Sequence, residues 1–226
     1  MNSPERDPAL LRLLEDAALL QEKVSDAVLV GGSVAALYAG HRLSYDRDHV
    51  LVDLQDRFNM ILEALEADPE YVVNRVTPGK IILGEHDGIE YGIRQLIRQR
   101  PLELSEETLP SERQLRVPTI EEALRIKAYL LVKRNQTRDY LDVAALAHKL
   151  GVSLAAAILS GIDEYYADQD QDSGAVATQV ATMLLDPKPR DASVTRNLKN
   201  YKNLSSRWHN WTDVTNILRA VALEMN

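Results

Sequence analysis

An α/β (α+β) fold with a short mixed sheet is predicted for this chain, and three observations predict it. Short apolar runs bounded by glycine, proline and aspartate alternate with helical patterns through residues 1–117. Asp87-Gly88 separates two β-like runs by two residues, the signature of a hairpin. From residue 118 onward, apolar side chains recur at helical spacing almost to the end. The sequence therefore divides into an α/β core with an N-terminal helix, 1–117, and a helical part, 118–226.

Each element has its own signal. Leu10, Leu13, Leu14 and Leu20 predict an opening helix over 8–23. VLVGG, from Val28, predicts a short buried strand that stops at glycines. SVAALYAG predicts a compact helix, with Ser33 as its N-cap and Gly40 as its stop. HVLVDL predicts a second strand, and Phe58, Ile61, Leu62 and Leu65 form the stripe of a helix from Asp56 to Ala67. YVVNRV, KIILGEH and IEYGIRQLI predict three further strands. RPLELSEETLPSERQLRVPT, rich in Pro, Ser and Glu with little periodicity, reads as a connector. Helices are expected over 119–134, 137–150, 152–166, 175–186, 191–206 and 211–225, broken at Gly151, at DQDQDSG, at DPKPRD and near Trp208 to Trp211.

Composition narrows the function classes. A net charge of −8 and a pI near 5.2 exclude a basic field over the whole surface. Lys188, Arg190, Arg196, Lys199, Lys202 and Arg207 form a local basic stretch against the single acid Asp191, with Tyr201, Trp208 and Trp211 interleaved. It suits either an RNA contact or a solvated helix face packed by two tryptophans. The absence of cysteine excludes thiolate metal sites and disulfides, and the five histidines lack ligand spacing. The charged N-terminus has no signal-peptide core and no window approaches the roughly 18 apolar residues of a membrane span, so a cytoplasmic location without membrane partners is expected.

The segment VLVGGSVAALYAGHRLSYDRDHVLV, Val28 to Val52, carries the chemistry. A strand, two glycines and a helix suggest a Rossmann turn and an NAD-binding oxidoreductase. The run G-G-S-V-A-A-L-Y-A-G, however, does not meet the G-x-G-x-x-G fingerprint. The alternative is a phosphate cradle beside a metal-binding acid pair. Glycine permits close backbone approach, and the helix N-terminus favours an anion. Asp46 and Asp48, two apart in a strand, share a face and suit Mg²⁺. As plain loop acids they would instead be balanced by Arg42 and Arg47. Further on, Lys127 falls in the middle of the apolar face of TIEEALRIKAYLLVKR. In RDYLDVAALAHKL, Asp139 lies at the centre of the apolar face and Asp142 at its edge. Charged groups on apolar faces mark either an ion pair tying two helices or the wall of a site in which Lys127 reaches a polyphosphate.

Together GGS…GHRLSYDRD, LRIKAYLLVKR and RDYLDVAAL resemble the AbiEii-type toxin nucleotidyltransferases, including the MenT toxins, of the DNA polymerase β superfamily. The resemblance spans roughly residues 28–150. It implies a polymerase β-like core completed by the helical half. Gly32 and Ser33 would hold a triphosphate, with Arg42 as a further nucleotide contact, and Asp46 and Asp48 would bind Mg²⁺. Lys127 would touch the nucleotide phosphates, and Asp139 or Asp142 would be the acid of the last motif. The chain departs from that pattern where a third metal-binding carboxylate is expected: Gly92 stands there, with Glu90 and Arg94 on the same strand face. Glu90 is then the substitute metal ligand and Arg94 a phosphate-neutralising cation.

The resemblance implies transfer of a nucleoside monophosphate from an NTP to an acceptor hydroxyl. The acceptor would be the 3′ end of tRNA, or a protein, in the toxin half of a toxin–antitoxin or phage-defence pair with a cognate antitoxin. Gly92 keeps open the alternative of a catalytically degenerate nucleotide- or antitoxin-binding module.

Overall fold

The computed structural model describes residues 7–166 and 174–225, so the break expected at DQDQDSG lies almost wholly outside the described residues. The chain forms two compact units. The first takes residues up to 34, 44–97 and 101–119; the second takes 35–43, 98–100 and 120 onward.

In the first unit Pro8–Lys23 form α1, started by Pro8 and by the Asp7 carboxylate, which accepts from the Ala9 amide at 2.8 Å. Five strands build the sheet: β1 (Val28–Leu29), β2 (Arg47–Leu51), β3 (Tyr71–Thr77), β4 (Ile81–His86) and β5 (Ile89–Gln95). Their order is β1-β2-β5-β4-β3. Only β2 and β5 run parallel; the other three pairings are antiparallel. A doubly wound dinucleotide-binding sheet needs successive parallel crossovers, so this topology overturns the Rossmann alternative. Asp87 and Gly88 join β4 to β5 with φ of 48° and 72°. Two left-handed residues in a row are what a tight hairpin turn of right-handed twist demands.

Leu54–Glu66 form α3, whose Phe58, Ile61 and Leu65 pack with Leu51, Ile82, Tyr91 and Ile93 of the sheet and Leu20 and Val24 of the α1 end. Residues 100–119, expected as a connector, instead contain an antiparallel hairpin of β6 (Leu104–Thr108) and β7 (Gln114–Pro118). The charged side chains that hid its period face outward, while Leu115 and Val117, two apart, are wholly buried. Against α1, those few apolar residues suffice to hold a strand.

The chain passes from the first unit to the second within α2 (Gly32–Ala39), which ends at Gly40 with φ of 57°. The second unit packs α4 (Ile120–Arg134), α5 (Thr137–Leu150), α6 (Val152–Ser160), α7 (Asp163–Tyr166), α8 (Val176–Leu185) and α9 (Trp211–Glu224). Leu124, Leu131, Val143, Leu146, Val180, Val214 and Leu218 are fully buried between them. Residues 98–100 belong here because Arg98 pairs at 2.7 Å with Glu122, a wholly buried acid that also takes Arg125 at 3.1 Å.

Two expected helices are corrected. Residues 152–166 break at Gly161 into α6 and α7. Residues 191–206 form no α-helix: 3₁₀ turns cover Val194–Asn200 and Ser206–Trp208, Asn197 is non-helical, and Lys202 and Asn203 are left-handed. Only Leu198 and Leu204 there are buried, too few for a helical stripe. Asp191 is used elsewhere, its carboxylate accepting from the amide and the hydroxyl of Thr137 at 2.7 and 2.8 Å to cap α5. No single described helix is long and apolar enough to cross a membrane.

Gly84 on β4 lies between Val73 of β3 and Tyr91 of β5. A Cβ there would collide with the Val72 carbonyl oxygen and the Tyr91 hydroxyl. Gly84→Ala is expected to cost about 1–3 kcal/mol, because a backbone oxygen cannot swing aside. A lowered urea midpoint in equilibrium unfolding checks it; an unchanged midpoint would mean that β3 moves freely.

Candidate active site

In the first unit the turn after β1 is tied to β2 at two points. The Val30 amide donates to the Asp48 carbonyl at 2.8 Å, and the Ser33 hydroxyl, fully buried, donates to the Asp46 carbonyl at 2.6 Å. Ser33, expected to hold a triphosphate, therefore uses its hydroxyl to fix the backbone of an acid of the candidate pair. Gly31 has φ of 84°, and a Cβ on it would lie 3.5 Å from Asp48 Oδ2, so the turn and the acid are close neighbours. Gly32 opens α2, whose first-turn amides have no partners within the helix.

Asp46 immediately precedes β2 and Asp48 lies within it; both are partly exposed. Arg47, between them, points to the opposite face as strand alternation requires. It is completely buried, pairs with Asp16 of α1, and donates to the carbonyls of His86, at 2.9 Å, and Ile89. His86 in turn bonds Asp16 at 2.5 Å and stacks on Tyr71 with ring centroids 4.2 Å apart. The strand that carries the acid pair is thus clamped from behind.

The parallel β2–β5 register sets Asp48 opposite Gly92. A Cβ on Gly92 would stand 3.0 Å from Asp48 Oδ1 and 3.1 Å from Leu83 Cδ2. Arg94 follows on the same face, its Nε 3.4 Å from Asp48 Oδ1. Glu90 is exposed on that strand, but no three His, Asp or Glu side chains among the described residues gather in a metal-holding group. The structure thus places Asp48 and Arg94 in contact and does not join Glu90 to the acid pair.

In the second unit Lys127, Asp139 and Asp142 come together and are all buried. Lys127 Nζ lies 2.7 Å from Asp142 Oδ2 and 3.7 Å from Asp139 Oδ1. Two partners were missed by sequence reasoning as partners of this acid. Arg42 grips Asp142 through Nε and Nη2, both at 2.8 Å, and His41 Nε2 meets it at 2.7 Å. Arg42, expected at a nucleotide, is thus engaged in a bidentate ion pair. The available signal was Asp142 itself, an acid on an apolar face that needs more than one cation. His41, just past Gly40, carries no signal of its own, and Arg42 reads toward a nucleotide or the Asp46–Asp48 pair. Their backbone is pinned instead: Ser205 donates to the His41 carbonyl at 2.8 Å, and the Leu43 amide to the Lys202 carbonyl at 3.0 Å.

The two acids of α5 differ electrostatically. Burial would raise both. For Asp142 the Arg42 and Lys127 cations and the His41 bond more than offset it and hold its carboxyl well below the usual carboxylate range. For Asp139 burial wins over the more distant Lys127 and Arg134, and its carboxyl is raised. Neither Asp139 oxygen has a hydrogen-bond partner, and Arg134 Nε stands 3.8 Å away. Burial also lowers His41 despite its bond to Asp142 and so favours the neutral imidazole.

In the basic stretch, Trp208 is buried edge-on to His148 at 5.9 Å, and Trp211 meets Tyr140 edge-on at 6.0 Å. The two tryptophans are packing residues. Arg196, Lys199 and Arg207 remain exposed.

No protein-family model matches the chain. It is 40% identical to the heme uptake protein MmpL11 of Mycobacterium tuberculosis over 94 residues, which are 42% of this chain and 10% of that protein. It is 30% identical to MmpL11 of Mycobacterium leprae over 200 residues, 83% of this chain and 18% of that one. The chain therefore spans less than a fifth of the curated relatives it matches. Among solved structures, MenT4, a nucleotidyltransferase toxin of M. tuberculosis, has a TM-score of 0.54 at 16% identity, covering 96% of this chain and 84% of its own. JHP933 from Helicobacter pylori has a TM-score of 0.51 at 15% identity, covering 97% and 92%. At such identities the likeness is one of fold: the chain has the mixed α/β nucleotidyltransferase fold.

Asp142→Asn would leave the Arg42 and Lys127 cations buried without their carboxylate. It is expected to cost about 3–5 kcal/mol at neutral pH. The wild-type contribution of Asp142 is complete above the ordinary carboxylate pKa and is lost as pH falls towards its depressed folded value. Asp139→Asn should act in the opposite direction. Its raised folded pKa makes the charged form a cost that is absent in acid, grows as pH rises through the ordinary carboxylate range, and is full above the raised folded value. That variant is expected to match or exceed wild-type stability at pH 7 and to converge with it in acid. Thermal unfolding across pH 3–7 of both variants checks the pair; equal destabilisation at pH 7 would overturn the distinction.

Proposed function

We propose that this chain is a nucleotidyltransferase that moves a nucleoside monophosphate from an NTP to an acceptor hydroxyl. The observation that carries this reading is the glycine turn tied to the acid pair's backbone, by the Ser33 hydroxyl at Asp46 and the Val30 amide at Asp48, in a chain with the nucleotidyltransferase fold. The partly exposed carboxylates of Asp46 and Asp48 are hard oxygen donors, the set Mg²⁺ takes together with substrate phosphates, and so they fit that ion. Bound there, Mg²⁺ supplies Lewis acidity and charge neutralisation at the triphosphate.

The chain's own residues do the rest. The amides after Gly31 face the polyphosphate as the N-terminus of α2, and Ser33 keeps Asp46 in place. Arg94 adds a cation beside Asp48. Glu90, two residues before Gly92 on β5, does not gather with Asp46 and Asp48 among the described residues and is left out of the ion's ligand set. In the second unit Lys127 is the cation for the phosphates. Asp142, Asp139, His41 and Arg42 fix its position, the two acids as the last-motif carboxylates. The acceptor oxygen bonds to the α-phosphorus, the bond from that phosphorus to the bridging oxygen breaks, pyrophosphate leaves, and the hydroxyl proton passes to solvent.

We assign the acceptor to RNA, with the tRNA 3′ end as the first candidate and a protein hydroxyl as the second. We assign the biological role to a toxin held by a cognate antitoxin in the cytoplasm, where NTPs are supplied. MenT4 is itself a nucleotidyltransferase toxin, which supports this role. A second reading, a nucleotide- or antitoxin-binding module without turnover, is favoured by the contact between Arg94 and Asp48 where a third acid would stand.

Incubation with each α-³²P-labelled NTP, Mg²⁺ and total RNA, resolved on a gel, tests the reading. Labelled RNA or protein is expected, falling at least about 100-fold in Asp46→Ala and Asp48→Ala, since loss of a positioned electrostatic group costs roughly that factor. Lys127→Ala should lose labelling too, with its folding checked by circular dichroism because the lysine is buried. Nucleotide binding without labelling selects the binding module; undiminished labelling in the aspartate variants removes the assigned site.

A further inference from the structure

Resting on the nucleotidyltransferase reading, we infer that this site takes a single divalent cation, and that the Arg94 guanidinium occupies the place of a second. Gly92 makes that exchange sterically possible.

Strand register sets the geometry. β2 and β5 run parallel with Asp48 opposite Gly92, so Gly92 and Arg94 line the strand face onto which Asp48 projects. A side chain at 92 would begin 3.0 Å from Asp48 Oδ1 and 3.1 Å from Leu83 Cδ2, tighter than ordinary contact. A carboxylate grown from that Cβ would press a second negative charge against Asp48. With no Cβ present, Asp48 lies over the backbone of β5 and brings Oδ1 to 3.4 Å from Arg94 Nε. The described residues hold Arg94 through that nitrogen, and the side chain is about half exposed at 48%.

The charges then match. One divalent cation and one guanidinium against two carboxylates leave the same local charge as two divalent cations against three carboxylates. The site loses an acid and a cation together, and its field on a triphosphate is preserved. Arginine suits the exchange because it carries a positive charge and offers a planar fork of donors to phosphate oxygens. A lysine would supply the charge without the fork. No third His, Asp or Glu among the described residues joins Asp46 and Asp48, which agrees with one cation rather than two.

The test counts metal directly. The full chain is saturated with a non-hydrolysable α,β-methylene NTP, and Mn²⁺ binding is followed by electron paramagnetic resonance of the free ion. One Mn²⁺ per bound analogue is expected. Arg94→Ala should weaken analogue binding by about tenfold, the loss of one charge-assisted contact, with the count unchanged. The double variant Gly92→Asp/Arg94→Ala should bind two. Two Mn²⁺ per wild-type chain would overturn the inference while leaving the nucleotidyltransferase reading intact. Analogue bound with no Mn²⁺ would overturn the inference and the metal assignment at Asp46 and Asp48. A wild-type chain that binds no analogue would instead remove the nucleotidyltransferase reading on which the inference rests. Arg94→Ala binding as tightly as wild type would overturn the role of Arg94. The wild-type count decides the inference even where the double variant does not fold.

Discussion

The candidate site of the first unit depends on one strand that is charged on both faces. β2 shows Asp48 to one side and Arg47 to the other, and neither side can be left unanswered in a packed sheet. Arg47 is answered by Asp16 and by two carbonyls at the β4–β5 turn. Those bonds connect α1, β2 and the hairpin into one frame. Asp46 and Asp48 can then remain partly open to solvent, because the backbone that carries them is held by their inward-facing neighbour. The Tyr71 and Tyr91 hydroxyls, pushed up to about 12 by burial, stay neutral beside this arginine at any physiological pH. The clamp therefore depends on Asp16 and on backbone oxygens.

The second unit solves the same problem with an acid at the centre. Asp142 is completely buried, and three basic side chains converge on it. A lone buried carboxylate would be raised and neutralised; here the geometry keeps it charged. Asp139, one helical turn earlier, has no such bonds and moves the other way. Two aspartates three residues apart on one helix thus end in opposite electrostatic states, and the distances to Lys127, Arg42 and His41 decide which is which.

Much of this was legible in the sequence. The strands around Asp87-Gly88, the glycine turn before α2, the stripe of α3 and the misplaced Lys127 and Asp139 all showed as period or as a breach of period. What escaped has physical reasons. β6 and β7 carry charge at Glu106, Glu107 and Arg116, and their wholly buried residues, Leu115 and Val117, are too few to reveal alternation. Residues 191–206 hold enough helix-forming side chains to suggest a helix, yet they answer to bonds from distant segments: Leu43 to the Lys202 backbone, His41 to the Ser205 backbone and Thr137 to the Asp191 carboxylate. The partnership of Arg42 with Asp142 joins positions 100 residues apart, and no local pattern encodes such a pair. Ser33 was found for its spacing, but the sequence gives no hint that its hydroxyl turns to a backbone oxygen.

That hydroxyl has a kinetic consequence. A phosphate-binding turn that is loose when empty must be ordered at each encounter, and the ordering slows capture and weakens affinity. Here the Ser33–Asp46 and Val30–Asp48 bonds tie the turn to β2 through the chain's own contacts. On the proposed reading, a polyphosphate arriving there meets a turn that is already tied, and less ordering remains to be done on binding. The turn behaves as a mould, and its selectivity lies in what fits.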